Sequence, residues 1–150
     1  LKLVSGGRRV LMYACGPTVY APAHLGHART YIVLDVIRRV LREWYRLIVV
    51  FVVNITDIDD KIIARAREEG VTPLSLARRC DDEFASDMAR LGVEAPTMRP
   101  RVSDHVDDVV SFIQTLVDRG MAYDAGGSVY FDTAAFEEAG FAYRELVPKC

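Results

Sequence analysis

Leu47 to Val53 is an unbroken run of seven apolar, mostly β-branched residues, and it restricts the fold more than any other stretch. A strand with no polar residue to turn toward water has to be covered on both faces, the usual setting of a strand in a parallel sheet. A shorter apolar run, Val10 to Ala14, follows the basic turn Gly6-Gly7-Arg8-Arg9 and reads as a buried first strand. From Ala28 to Trp44, apolar residues recur at Val33, Val36, Ile37, Val40, Leu41 and Trp44. That is helical spacing, with Arg38, Arg39, Arg42 and Glu43 on the wetter side. Asn54-Ile55-Thr56-Asp57 ends the second strand, and Asp59 to Glu69 reads as a helix stopped by Gly70. Strand, helix, strand, helix in that order is a right-handed βαβ unit. The expected fold class is therefore α/β, a Rossmann-like parallel sheet with flanking helices.

Thr72-Pro73 is a strong helix start, and the helix places Ala77, Cys80, Phe84, Met88 and Leu91 on one stripe before Gly92. Val93 to Arg101, with Pro96 and Pro100, reads as a connector. A helix from about Ser103 to Arg119 turns Val106, Val109, Val110, Ile113 and Val117 inward, and Met121 to Asp132 carries a hairpin signal around Gly126-Gly127. With 150 residues, 51% of them hydrophobic, the chain can bury the core of one domain, or of one domain plus an insertion. Its net charge of -2 supplies no basic field that would by itself announce nucleic acid. Cysteines at 15, 80 and 150 make no disulfide framework and fit a reducing compartment. No apolar run reaches transmembrane length and no signal peptide is visible. The chain begins with Leu and stops at Lys149-Cys150, so it reads as part of a longer polypeptide.

Chemistry concentrates in Cys15-Gly16-Pro17-Thr18-Val19-Tyr20 and, directly after it, His24-Leu25-Gly26-His27. This is where the first strand gives way to a helix, the crevice in which α/β sheets bind ligands. His24 and His27, three apart at a helix start, lie on one face beside free backbone N–H groups and the positive end of the helix dipole. That suits a nucleotide triphosphate and the charge that builds when an α-phosphate is attacked. Gly26 between them would let a flat adenine approach the backbone. The same spacing also fits two surface histidines that cap a helix; Cys15 and Asn54-Ile55-Thr56-Asp57 in register favour the nucleotide. Cys15 has three readings from chemistry alone: zinc ligand, nucleophile or inert buried thiol. A zinc site needs about four ligands and there is no Cys-x-x-Cys pair, so partners for Cys15 are expected beyond residue 150. Cys80, on an apolar stripe, reads as core. Thr56 is placed to hydrogen-bond a small substrate and Asp57 to hold a ribose or an ammonium. Asp59 and Asp60 read as first-turn carboxylates that oppose the helix dipole, although the cluster is also compatible with Mg²⁺. Arg38, Arg39, Arg42 and Arg46 read as a solvated face, and His105 as structural. The geometric expectation is that the Cys15 sulfur and the two imidazoles open onto one cavity.

Read together, Cys15 to Tyr20, His24-Leu25-Gly26-His27-Ala28-Arg29-Thr30 and Asn54 to Ile63 closely resemble the cysteinyl-tRNA synthetases. His24-Leu25-Gly26-His27 is similar to the first signature of class I aminoacyl-tRNA synthetases, His-Ile-Gly-His, with Leu25 a conservative departure. The likeness continues through Pro100-Arg101-Val102-Ser103 and Gly127-Ser128-Val129-Tyr130-Phe131-Asp132. The resemblance implies that Cys15 is the first of four zinc ligands and that the zinc binds the thiolate of substrate cysteine. It implies that Gly16 and Thr56 line the amino-acid pocket, and that His24, Gly26 and His27 hold ATP, with Mg²⁺, and stabilise the transition state. Cysteinyl-adenylate and pyrophosphate would form, and the cysteinyl group would pass to tRNA(Cys). In family terms, residues 1–95 resemble the first half of the catalytic domain, and residues 96–150 a connector helix and hairpin leading into an inserted connective region. The other three zinc ligands, the mobile Lys-Met-Ser-Lys-Ser loop and the anticodon-binding domain are not in these 150 residues. The segment alone is thus expected to be inactive, and the enzyme cytoplasmic. Two other readings stand beside this one: the cysteine ligase of mycothiol synthesis, and a non-catalytic nucleotide-binding module of the same fold.

Overall fold

The computed structural model describes residues 7–144. They form two compact units, one ending at Asp104 and the other beginning at His105.

In the first unit β1 (Arg9–Ala14) lies parallel to β2 (Ile48–Val53), in register from Arg9 opposite Ile48 to Ala14 opposite Val53. The parallel pairing follows from the apolar run Leu47–Val53, whose Phe51 and Val53 are buried, although Ile48 of β2 and Leu11 and Tyr13 of β1, expected to be covered, are exposed. On the far side of β2, residues 97–102 continue the sheet. Val53 N–H donates to the Met98 carbonyl (3.1 Å), Ile55 N–H to that of Pro100 (2.8 Å), and Val102 N–H to that of Ile55 (3.0 Å). Both bridges in this stretch, at Met98 and at Arg101, are parallel. The stretch expected to be only a connector is therefore an edge of the sheet. Pro100 is tolerated because the neighbouring strand uses its carbonyl, not the N–H it lacks.

The helix between the strands, α1 (Leu25–Arg39), starts one turn earlier than its apolar period suggests, because His24 caps it. It runs into a wider π-type turn, Val40–Trp44, and Arg46 then adopts a left-handed φ of 54°. The Arg8 guanidinium donates twice to the Arg46 carbonyl, at 2.8 and 3.2 Å. The orientation of α1 corrects the sequence expectation. Val33, Val36, Ile37, Val40 and Trp44 face out, Trp44 at 82% exposure, while the arginine face is engaged. Arg38 donates to the carbonyls of Glu94 (3.2 Å) and Ala95 (2.8 Å), and Arg39 to that of Gly92 (2.8 Å). Arg42 grips the Glu94 carboxylate with two hydrogen bonds, 2.6 and 2.9 Å, and Arg39 pairs with buried Asp35 at 2.7 Å. The carbonyls at 92–95 lack ladder partners, and a guanidinium fork satisfies such groups well. Hydropathy alone assigns that face to water.

Helices α2 (Asp60–Glu69) and α3 (Pro73–Arg90) close the core. Their ends follow the expected signals: Asp59 Oδ1 accepts from Lys61 N–H (2.8 Å), α2 stops at Gly70, and Thr72 Oγ1 accepts from Ser75 N–H (3.2 Å). One cluster joins Val19, Ile55, Ile62, Ala66, Leu76, Ala77 and Cys80; another joins Tyr31, Phe51, Val53, Phe84 and Met88. Each fully buried aliphatic side chain here is worth roughly 1.5–3 kcal/mol. Asp81, on α3 and buried, pairs with Arg99 and with Arg101 (2.7 Å), which ties α3 to the sheet edge.

The second unit comprises α4 (Val106–Asp118), a hairpin of β3 (Ala122–Ala125) and β4 (Ser128–Phe131), and α5 (Thr133–Glu138). The hairpin turns at Gly126-Gly127 as expected, with Tyr123 opposite Tyr130 and their rings stacked at 5.8 Å. Asp132 Oδ1 caps α5 by accepting from Ala134 and Ala135 N–H, both at 3.0 Å. His105 sits 2.9 Å from Asp108 at the start of α4, in keeping with a structural role.

Candidate functional site

After β1 the chain turns through Cys15-Gly16-Pro17 and rejoins the continuation of β2. Thr56 N–H donates to the Pro17 carbonyl (3.1 Å) and Val19 N–H to that of Thr56 (3.2 Å). A Cβ at Gly16 would lie 1.4 Å from the Asn54 carbonyl oxygen, so no other residue fits without moving backbone. Both polar groups of the Cys15–Gly16 peptide are held by side chains. Its carbonyl accepts from the Tyr31 hydroxyl (3.0 Å), and its N–H donates to Asn54 Oδ1 (2.9 Å). Asn54 Oδ1 also accepts from the Tyr13 hydroxyl (3.0 Å), and Asn54 Nδ2 donates to Thr56 Oγ1 (3.3 Å). Burial, followed by the neighbouring Cys15, pushes the Tyr31 phenol up to about 12, so it stays protonated and donating at neutral pH.

The Cys15 thiol itself is exposed, and its nearest polar neighbour is the Gly16 carbonyl at 3.6 Å. Cys80 is buried in the core as expected, and burial pushes its thiol up. Among the described residues no group of three or more His, Cys, Asp or Glu side chains converges as a metal site. One thiol is not a zinc centre, which needs about four donors. These residues by themselves do not fit the metal.

His24 and His27 cap their own helix. His24 Nδ1 accepts from Gly26 N–H (3.1 Å), and His27 Nδ1 accepts from His24 N–H (3.3 Å). The rings stack with centroids 4.0 Å apart. Gly26 is required for this: a Cβ there would meet the His24 ring at 2.8 Å. Burial first, and then neighbouring His24, lower the pKa of His27 and favour its neutral form. A neutral imidazole that accepts at Nδ1 carries its hydrogen on Nε2, so capping assigns the outer nitrogen of each ring as a donor. Behind them, Phe84 meets His27 edge-on at 5.9 Å and Tyr31 at 5.2 Å. A row of rings thus runs from His27 to the hydroxyl that holds Cys15.

His24 and His27 line a hollow of about 230 Å³ with Thr18, Tyr20, Ala21, Pro22 and Lys61. The Lys61 ammonium stands 5.7 Å from the Tyr20 ring centroid. Two N–H donors, a cation and an aromatic wall make a receptacle for an anion attached to a flat ring. Cys15, Thr56 and Asp57 are not among the residues lining this hollow. Asp57 is buried and accepts from the backbone N–H (2.9 Å) and the hydroxyl of Ser103, and it lines a separate hollow with Asp59, Ile62 and Leu74. Asp59 and Asp60 occupy the start of α2, as expected of helix-end carboxylates.

Sequence reasoning passed over Asn54 and Tyr31. Tyr31 lies one helical turn after His27 on the same face, a position that could have pointed to it. For Asn54 the signal was weaker, an amide at a strand end where a turn must be tied.

The family model for tRNA synthetases class I (C) catalytic domain matches residues 2–147. A cysteine--tRNA ligase of Encephalitozoon cuniculi is 50% identical over 132 residues, which is 88% of this chain and 28% of that protein. One from Pyrococcus furiosus is 52% identical over 131 residues, 87% of this chain and 27% of that protein. Methionyl-tRNA synthetase of Mycobacterium tuberculosis, bound by methionyl-adenylate, shares the fold with a TM-score of 0.64. It is 20% identical, over 83% of this chain and 29% of its own. The chain spans less than a third of the length of each.

Proposed function

Since this chain belongs to the class I (C) tRNA synthetase catalytic-domain family, we propose that it forms the nucleotide-holding part of a cysteine--tRNA ligase. The whole enzyme would activate cysteine with ATP and pass it to tRNA(Cys). The observation that carries this reading is the capping of α1 by His24 and His27, each through Nδ1, which leaves Nε2 of each ring uncommitted in residues that line one hollow with Lys61. A cysteine carboxylate oxygen attacks the α-phosphorus of ATP, and the bond to the bridging oxygen breaks. Pyrophosphate leaves with the electron pair, and cysteinyl-adenylate remains. His24 and His27 donate to phosphate oxygens as charge builds there, and Lys61 offsets the charge of the departing group. A ribose hydroxyl at the tRNA terminus then attacks the activated carbonyl, and AMP leaves. Gly26 serves the nucleotide side by leaving space for the His24 ring and by donating its N–H to it, while Gly16 and Thr56 line the amino-acid side.

Asp57 we assign to holding Ser103. A zinc ion bound to Cys15 would need further donors from outside residues 7–144. The scattered cysteines suit a reducing compartment such as the cytoplasm, and among the described residues no helix is long and apolar enough to cross a membrane.

The test is cysteine-dependent ATP–pyrophosphate exchange by the whole ligase carrying His24→Asn. Asparagine still caps the helix but does not place a donor where Nε2 stands. We expect a rate loss of about 10²–10³ with the melting temperature held; an unchanged rate overturns the donor role. Residues 1–150 alone should show no exchange.

A further inference from the structure

We propose that Asn54 is the positioning residue of the amino-acid side of this site. One amide fixes the Cys15–Gly16 peptide and the Thr56 hydroxyl relative to each other, and so sets Thr56 to donate. The proposal rests on the reading that Gly16 and Thr56 line the amino-acid pocket. Asn54 Oδ1 takes hydrogen bonds from Gly16 N–H (2.9 Å) and the Tyr13 hydroxyl (3.0 Å), while Nδ2 gives one to Thr56 Oγ1 (3.3 Å). Because Thr56 Oγ1 accepts from Nδ2, its own hydrogen is free for a further acceptor. A substrate carboxylate or sulfur answers to that donor, and an ammonium does not. The main chain of Asn54 contributes as well, since its carbonyl oxygen fills the space where a Cβ at residue 16 would stand. Backbone and side chain of one residue thus meet the same peptide from two directions. Tyr31 closes the other end of that peptide, so both of its polar groups are held by side chains.

Asparagine is required because the role needs an acceptor and a donor on one short side chain. Aspartate keeps the bonds from Gly16 and Tyr13 but reverses the one to Thr56. The Thr56 hydroxyl must then donate to the carboxylate and is lost to the substrate. Asn54→Asp should therefore reproduce the binding defect of Thr56→Val, which removes the hydroxyl outright. Asn54→Ala also releases the Cys15–Gly16 peptide and should do more.

The experiment is calorimetric binding of cysteine and, separately, of a non-hydrolysable ATP analogue to the whole zinc-loaded ligase. We expect Asn54→Asp and Thr56→Val each to weaken cysteine about 5- to 10-fold, with the double variant no worse than either single one. Asn54→Ala should weaken it about 10- to 100-fold. The ATP analogue should shift by less than about 3-fold throughout, since the nucleotide hollow uses other residues. If the alanine variant does not fold, the aspartate and valine variants carry the test. Equal losses for both ligands, additive losses in the double variant, or wild-type cysteine affinity in Asn54→Asp would each overturn the role of Asn54. Wild-type protein that binds the ATP analogue but no cysteine would instead overturn the ligase reading.

Discussion

In the first unit Ile55, Ile62 and Leu76 are each 1% exposed, whereas in the second Ala122, at 7%, is the one buried apolar residue among those described. Val106, Val109, Val110 and Phe112 of α4 all stand in solvent, although their spacing is as helical as that of α3. The two units differ in layers rather than in pattern. The first has helices over a sheet of two strands and an edge, enough to enclose side chains. Among the described residues the second has one long helix, one short one and a two-stranded hairpin, and these leave its apolar side chains open. The histidine pair and the Cys15 turn are both carried by the unit that closes, so the groups that need fixed positions rest on packed elements.

The sharpest way to break this comparison is a pair of truncations. Leu76→Ala should cost about 2–5 kcal/mol, and Val110→Ala no more than about 0.5 kcal/mol, read as shifts of the urea midpoint. Comparable losses would mean that the second unit is packed after all. Gly16→Ala should come next, at about 1–3 kcal/mol, because the added carbon collides with backbone rather than with a side chain that can swing away. Asp81→Asn sharpens the contrast within the first unit. It leaves Arg99 and Arg101 without their carboxylate, but both are partly solvated, so we expect about 2 kcal/mol.

The smallest effect should appear in acid. The Arg42 guanidinium, with Arg39 and Arg38 near by, holds the Glu94 carboxyl down to about 2 from an ordinary 4.5. The unfolded chain binds this proton first as pH falls, so the contribution of Glu94 is complete above 4.5 and gone once pH has passed below about 2. Glu94→Gln should flatten the pH dependence of stability in that window and nowhere else. A flat wild-type profile there would remove Glu94 from the account.

Much of the closed unit was legible. The parallel pair of strands, α2, α3 and the hairpin turn all follow from period and punctuation. The third sheet edge did not, because Pro96 and Pro100 mark a break in any local reading while the hydrogen bonds that Met98 and Pro100 accept come from residues 45 positions away. Orientation was lost at α1 for a related reason: the arginines of a helix read as wet until the loop carbonyls they serve are in view. Within the site, His24 and His27 read either as phosphate holders or as caps. The structure makes them caps through Nδ1 and leaves Nε2 uncommitted, a division that spacing cannot express. Asp57 illustrates the opposite case, since its partner Ser103 lies too far along the chain for any motif to suggest.

The histidine cap also makes two positions depend on one helix end. Both rings are fixed by backbone N–H groups of the first turn of α1, so they hold their positions only while that turn is wound. A frayed helix end therefore releases the two rings together. Any agent that frays this helix end, whether heat or a distant mutation, should loosen both imidazoles at once.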